Sequence, residues 1–182
     1  MATILTHPVA ACTLVALVPL PRKPARFWIA AALLSMLPDA DVVGFEYGIR
    51  YGDLLGHRGL SHSLLFAAVC GWITAFAIGR GPLREAPKTR LALALTLATA
   101  SHGLLDAFTD GGLGVAFFAP FDTARYFLPW RPILVSPIGL EDFLSEYGMS
   151  VLVSELAWVW LPCAPILAGA WLLHRSRASG PP

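Results

Sequence analysis

The residues able to do chemistry fall into pairs with informative spacing. In SHGLLDAFTDGG, His102 and Asp106 stand at i and i+4, one turn apart on a single helix face. An imidazole and a carboxylate so placed share one cation, or the acid orients the ring. In GHRGLSHSLL, His57 and His62 are five apart, about 140° around an ideal helix, so they converge only if the helix starts between them. Gly59 frees the backbone there and Ser61 is a good N-cap, which predicts His62 in the first turn and His57 on the preceding loop, with Arg58 between them as an anion contact. In LPDADVV, Asp39 and Asp41 follow Pro38, and in extended geometry side chains at i and i+2 point the same way. Two such carboxylates repel unless a cation or a proton intervenes, the arrangement of a bridging or water-activating pair. His7 and Glu155, each alone in an apolar stretch, complete the candidate set, while His174 beside Arg175 is explained by a solvated helix end.

Mixed imidazole and carboxylate donors without cysteine suit zinc first, with manganese and iron as alternatives. The three cysteines, Cys12, Cys70 and Cys163, sit singly in apolar runs and read as small buried hydrophobes. Seven or eight candidate ligands exceed what one catalytic zinc takes, so two or more ions are expected. Such clusters polarise a phosphoryl or acyl oxygen and generate hydroxide near neutral pH, which points to hydrolysis.

These side chains must be carried by apolar elements. Of 182 residues, 56% are hydrophobic and 14% charged, with a mean hydropathy of +0.63, against a disordered tail or a soluble enzyme. A net charge of +1 offers no footprint for a nucleic-acid backbone, and none is expected as a partner. Five apolar stretches, 4–20, 26–43, 61–79, 91–108 and 151–173, predict an all-α polytopic membrane protein of about five helices in a single domain over 1–182. Pro38 shortens or kinks the second, and the first lacks a basic leader and reads as mature structure. Nine of thirteen positive charges (Arg22, Lys23, Arg26, Arg80, Arg84, Lys88, Arg90, Arg175, Arg177) then collect on one side, placing the amino terminus outside and the carboxyl terminus inside. Every candidate ligand falls at the opposite, outer ends. The outer loops are 44–60 and 109–150, the latter with an aromatic run from Phe117 to Trp130 suited to the headgroup region.

With LPDADVV, GHRGLSHSLL and SHGLLDAFTDGG in this order, the chain resembles the bacterial YdjM-like family of inner-membrane-associated metal-dependent hydrolases. The family pattern, a His near the amino terminus, PDxD, HRGxTHS and HxxxDxxT, falls on His7, Asp39 and Asp41, His57 with His62, and His102 with Asp106 and Thr109; Ser61 stands where Thr is common. The block YFLPWRPILVSPIG also looks like one that the family carries. More remotely, an all-helical set with HxxxD is similar to the zinc phospholipase C and nuclease helical fold, which implies phosphoester substrates. The resulting expectation is a hydrolase of the bacterial inner membrane, working at the bilayer on a small-molecule or lipid phosphoester. His7, Asp39, Asp41, His57, His62, His102, Asp106 and Glu155 would bind metal. Asp39 or Asp41 would bridge ions or act as general base, and Arg58 with Arg125 or Arg131 would neutralise the substrate anion. A metal-ion binder or transporter, and a scaffold with a structural metal, are the competing readings. The transporter requires polar residues down to the cytoplasmic half, where Thr74, Thr96 and Thr99 are nearly all the sequence offers.

Overall fold

The computed structural model describes residues 1–178, and its regular elements are helical. Four helices form the frame: α1 (Thr6–Leu17), α2 (Ala25–Met36), α3 (Leu64–Ile78) and α4 (Lys88–Ala107). A short α5 (Leu140–Phe143) precedes α6 (Glu146–Glu155), which runs through a π-helical turn, Leu156–Trp160, into α7 (Leu161–Ala178). Among the described residues the only pairing of extended chain is two isolated bridges, Thr109 with Ile133 and Val115 with Tyr126.

Local chemistry sets the helix ends that matter for the site. The α-helical part of α2 stops at Met36, two residues before Pro38, and the chain tightens into a 3-10 helix, Leu37–Tyr47, closed by Gly48 in the left-handed region. Ahead of α3 the cap is Ser63, whose hydroxyl accepts from the Phe66 amide at 3.1 Å. The expected cap, Ser61, instead lies in a 3-10 turn, Leu60–His62, so His62 sits just before the helix rather than in its first turn.

α4 packs against α1, α2 and α3 over a core of small and branched residues including Ala11, Val15, Ala31, Ala75, Leu95 and Ala98. α3 and α4 approach closely at Gly71, where an added Cβ would lie 2.3 Å from the Thr96 hydroxyl oxygen and 2.5 Å from its amide nitrogen.

The exterior is apolar. Leu33, Ile73, Leu93, Leu161 and Leu172 are all exposed, an inside-out pattern that suits a hydrocarbon surround. Two helical spans are long and apolar enough to cross a bilayer: Ala25–Tyr47, and Glu146–Leu173, of whose most apolar stretch only 11% is buried. Five straight crossings are not what the lengths give. The 12 residues of α1 and 15 of α3 rise about 18 and 22 Å, short of a hydrocarbon core of ~30 Å.

The two basic connections lie together at one end of the bundle. The Arg26 guanidinium donates to the Arg80 carbonyl and that of Arg90 to the Pro19 carbonyl at 3.1 Å, so the α1–α2 and α3–α4 connections meet at one end. The carboxyl end of α2 and the amino end of α3 meet the carboxyl end of α4 at the other. The side chains of Arg175 and Arg177 lie outside the described residues.

The Gly71 contact gives a stability prediction. Gly71→Val drives a side chain into the α4 backbone and is expected to cost about 1–3 kcal/mol, read as a lowered unfolding temperature in detergent. Gly169→Val, at a helical position with open space around it, leaves that temperature nearly unchanged.

Candidate metal centre

Three segments bring four buried ligand-type side chains to one point. Asp39 comes from the 3-10 helix after α2, His62 from the turn before α3, and His102 and Asp106 from the last two turns of α4. All four are buried, and each offers an atom within 4.8 Å of the others. His62 Nε2 lies 3.0 Å from His102 Nε2, 3.5 Å from Asp106 Oδ2 and 3.8 Å from Asp39 Oδ1; His102 Nε2 lies 3.2 Å from Asp39 Oδ1 and 3.9 Å from Asp106 Oδ2. A tetrahedral cation with bonds of about 2.1 Å separates its ligands by roughly 3.4 Å, so these contacts are the edges of a cage of the right size.

The second layer of contacts sets the lone pairs. His102 Nδ1–H donates to the Ser35 carbonyl at 2.7 Å, which leaves Nε2 as the acceptor facing the cage. His62 turns Nδ1 toward Asp41 Oδ2 at 3.2 Å and the Ser61 hydroxyl at 2.9 Å. Two Nε2 atoms 3.0 Å apart need a proton or a cation between them. Burial opposes charge on His62, yet the surrounding Asp106, Asp39 and Asp41 carboxylates push its imidazole up to about 10, so without a metal the proton sits there.

Several buried polar atoms have no hydrogen-bond partner: both ring nitrogens of His7, both carboxylate oxygens of Asp39 and His57 Nε2. Such orphans are rare, at a cost of ~1–3 kcal/mol each; Asp39 Oδ1 faces the cage and Oδ2 faces His7. The donor set therefore fits a divalent cation. His7 stacks flat on His102, ring centroids 3.7 Å apart, with Nε2 3.8 Å from Asp106 Oδ1 and 4.0 Å from Asp39 Oδ2.

Asp39 and Asp41 do not act as a side-by-side pair. At three residues per turn, i and i+2 diverge by about 120°, so the 3-10 backbone sends Asp39 into the cage and Asp41 to the far side of His62. There Asp41 Oδ1 meets His57 Nδ1 at 2.7 Å and Oδ2 accepts from Ser61, forming a second trio of Asp41, His57 and His62.

Arg58 is wholly buried with φ at 62°, the left-handed region, which the surrounding bonds hold in place. Its Nε donates to Asp106 Oδ2 at 3.0 Å, Nη1 to the Gly111 carbonyl and Nη2 to the Thr109 hydroxyl, both at 2.9 Å. Gly112, also at positive φ, leaves the room: a Cβ there would lie 2.7 Å from Nη1. All three guanidinium nitrogens are thus spent within the chain, and the charge acts on Asp106 rather than reaching a substrate. Arg125 is similarly engaged, bonding the backbone carbonyls of His57 and Tyr51, and Arg131 stacks over Phe127 at 4.7 Å.

Glu155 is the expected ligand that the fold uses elsewhere. Its carboxylate accepts from the Thr3 amide and from the Thr3 and Thr6 hydroxyls, and Thr6 in turn accepts from Trp160 Nε1 at 2.7 Å. That network ties the segment before α1 to α6 and engages both Glu155 oxygens, and Glu155 belongs to neither group of clustered ligand atoms. The Thr109 role, fixing Arg58, was carried in the sequence by the HxxxDxxT spacing. The Ser35 carbonyl, a backbone group, left no trace in residue type.

An all-helical chain with a buried His/Asp cage at one end and an apolar exterior defines a membrane-associated protein with a candidate metal site. The profile of the YdjM inner membrane protein family matches residues 1–178, and the chain belongs to that family. It is similar to inner membrane protein YbcI of Escherichia coli (strain K12), 44% identical over 152 residues that cover 84% of this chain and 87% of that protein. No solved structure matches the chain.

Two substitutions separate the networks. Arg58→Gln removes the guanidinium from a buried carboxylate that otherwise keeps the Ala2 amide at 2.8 Å and the nearby amino terminus, and is expected to cost about 3–5 kcal/mol in thermal unfolding. Glu155→Ala destabilises by about 1–3 kcal/mol through the orphaned threonines, while metal content measured by elemental analysis stays at the wild-type level.

Proposed function

We propose that the chain is a metal-dependent hydrolase of the inner membrane, with phosphoesters, lipid-borne or delivered from the periphery, as its substrate class. The observation that carries this reading is the cage itself, two imidazoles and two carboxylates with preset lone pairs and an unpartnered Asp39 carboxylate. Asp39, His62, His102 and Asp106 hold the cation, zinc by donor type, with His7 alongside. A divalent ion there supplies Lewis-acid charge for polarising a phosphoryl or acyl oxygen. Arg58 holds Asp106 in place and Asp41 orients His57 and His62. His57, bonded to Asp41 through Nδ1 and unpartnered at Nε2, is the group able to take up or release a proton during turnover. Asp41 and Ser61 are half-buried where the rest is closed, and they mark the approach to the cage. The phosphoester class rests on the resemblance to zinc phospholipase C. The charge asymmetry supports an outward amino terminus and an inward carboxyl terminus, with the cage at the outer face.

A second reading has its own support. Four protein ligands close a tetrahedral shell, the pattern of structural sites, whereas catalytic sites keep a position open. Transport is less well supported, because the core from the cage toward the basic end is alanine and leucine, among them Ala94, Leu91 and Leu95, and gives an ion no polar path.

Protein purified in detergent is expected to hold at least one equivalent of transition metal, and His102→Ala less than about 0.2 equivalents, since a catalytic site needs its ion bound. Metal-dependent hydrolysis of an aryl phosphodiester, lost in Asp39→Asn and reduced in His57→Gln with the metal retained, supports the enzyme; full metal content without turnover favours the structural site. Because uptake must displace the His62 proton, zinc affinity should rise about tenfold per pH unit between pH 6 and 8.

A further inference from the structure

α1 and α7 lie side by side, and the seam between them is not closed. At the basic end two neighbouring cavities of about 410 Å³ each open along it, and both reach Ala16 and Ala170. Arg90 borders the first; Arg22, Lys23, Trp28 and Trp171 border the second. Nearer the cage a third cavity of about 270 Å³ continues the same stripes, from Ala10 and Leu14 on one helix to Cys163 and Ile166 on the other. Residues 10, 14 and 17 of α1 and 163, 166, 167 and 170 of α7 recur at helical spacing, so the cavities follow one line. Alanines at 16 and 170 supply too little side chain to fill it.

The charges at its mouth are one-sided. Residues 18–26 and 79–90 carry Arg22, Lys23, Arg26, Arg80, Arg84, Lys88 and Arg90 against the single acid Glu85. The Lys23 ammonium lies 5.9 Å above the Trp28 ring, and two indoles flank the opening, as at a bilayer interface. Cations at the rim of a hydrocarbon-lined slot fit a ligand with an anionic head and an aliphatic tail. Inorganic phosphate has no use for the slot, and a zwitterionic lipid has no net charge for the cations.

We propose that the α1–α7 seam binds one anionic phospholipid, its phosphate on Arg22, Lys23 and Arg90 and an acyl chain along the seam toward Trp158. This stands apart from the metal reading: the lipid site lies at the basic end, and either can fail alone.

The test uses the full chain in mild detergent, titrated with phosphatidylglycerol, phosphatidylcholine or inorganic phosphate and followed by native mass spectrometry. Wild type is expected to retain one phosphatidylglycerol per chain, at least tenfold more tightly than phosphatidylcholine. Each cation contributes roughly fivefold, so the triple variant Arg22→Gln/Lys23→Gln/Arg90→Gln lowers retention on the order of 100-fold with metal content unchanged. Ala170→Leu fills the seam without altering charge and also reduces the adduct, which keeps the test decisive if the triple variant does not fold. Equal retention of the two lipids, wild-type retention by Ala170→Leu or by the triple variant, or displacement of phosphatidylglycerol by inorganic phosphate overturns the proposal.

Discussion

The structure turns on an electrostatic constraint: carboxylates held out of water at the end of an apolar bundle. Asp39 and Asp106 are buried and Asp41 nearly so, while Arg58 is the one buried guanidinium among the described side chains that meets them. An isolated buried carboxylate is too costly to keep, so the surplus negative charge demands a proton or a cation. The neighbouring imidazoles answer that demand, and their outer nitrogens are fixed by Ser35 and Asp41 so that the inner ones face the carboxylates. What holds the three segments together at this end is therefore the same set of contacts that would hold an ion.

The surrounding loops serve that arrangement. The left-handed backbone at Arg58 folds its side chain inward, and the chain beyond α4 returns to meet it: the Ala116 amide donates to the Arg58 carbonyl at 3.0 Å and the Leu64 amide to the Phe117 carbonyl at 3.0 Å. The segment 109–133 is thus a strap across the cage as well as a carrier of exposed aromatics such as Phe118, Phe121 and Trp130. On the far side, Glu155 and its threonines pin the segment before α1, which brings His7 over His102.

Much of this was legible in the residues, and the failures have physical causes. The i, i+4 spacing of His102 and Asp106 needs only a helix, and α4 supplies it. The break at Pro38 follows from proline sterics, but the 3-10 helix beyond it does not, and that local choice separated Asp39 from Asp41. Ser61 and Ser63 are both good caps; tertiary demand from Asp41 took the first and left the second to start α3. Arg58 was expected as an anion contact, whereas its side chain is buried and bonded to Asp106, Gly111 and Thr109, partners that only the tertiary fold brings to it. Glu155 was legible only as a costly acid, and the residues that satisfy it are more than a hundred positions away in sequence. Helix lengths fell short of the hydropathy pattern because apolar composition runs past the regular helix: α1 ends at Leu17 ahead of Pro19, and the stretch containing α3 begins in a 3-10 turn.

X-ray absorption at the edge of the bound metal, on detergent-purified protein, reads the cage directly. The account predicts a nitrogen and oxygen shell at about 2.0–2.1 Å with the multiple-scattering pattern of two imidazoles, one of which disappears in His62→Ala. A sulfur shell near 2.3 Å, or a shell of oxygen alone that is the same in wild type and His62→Ala, would contradict it.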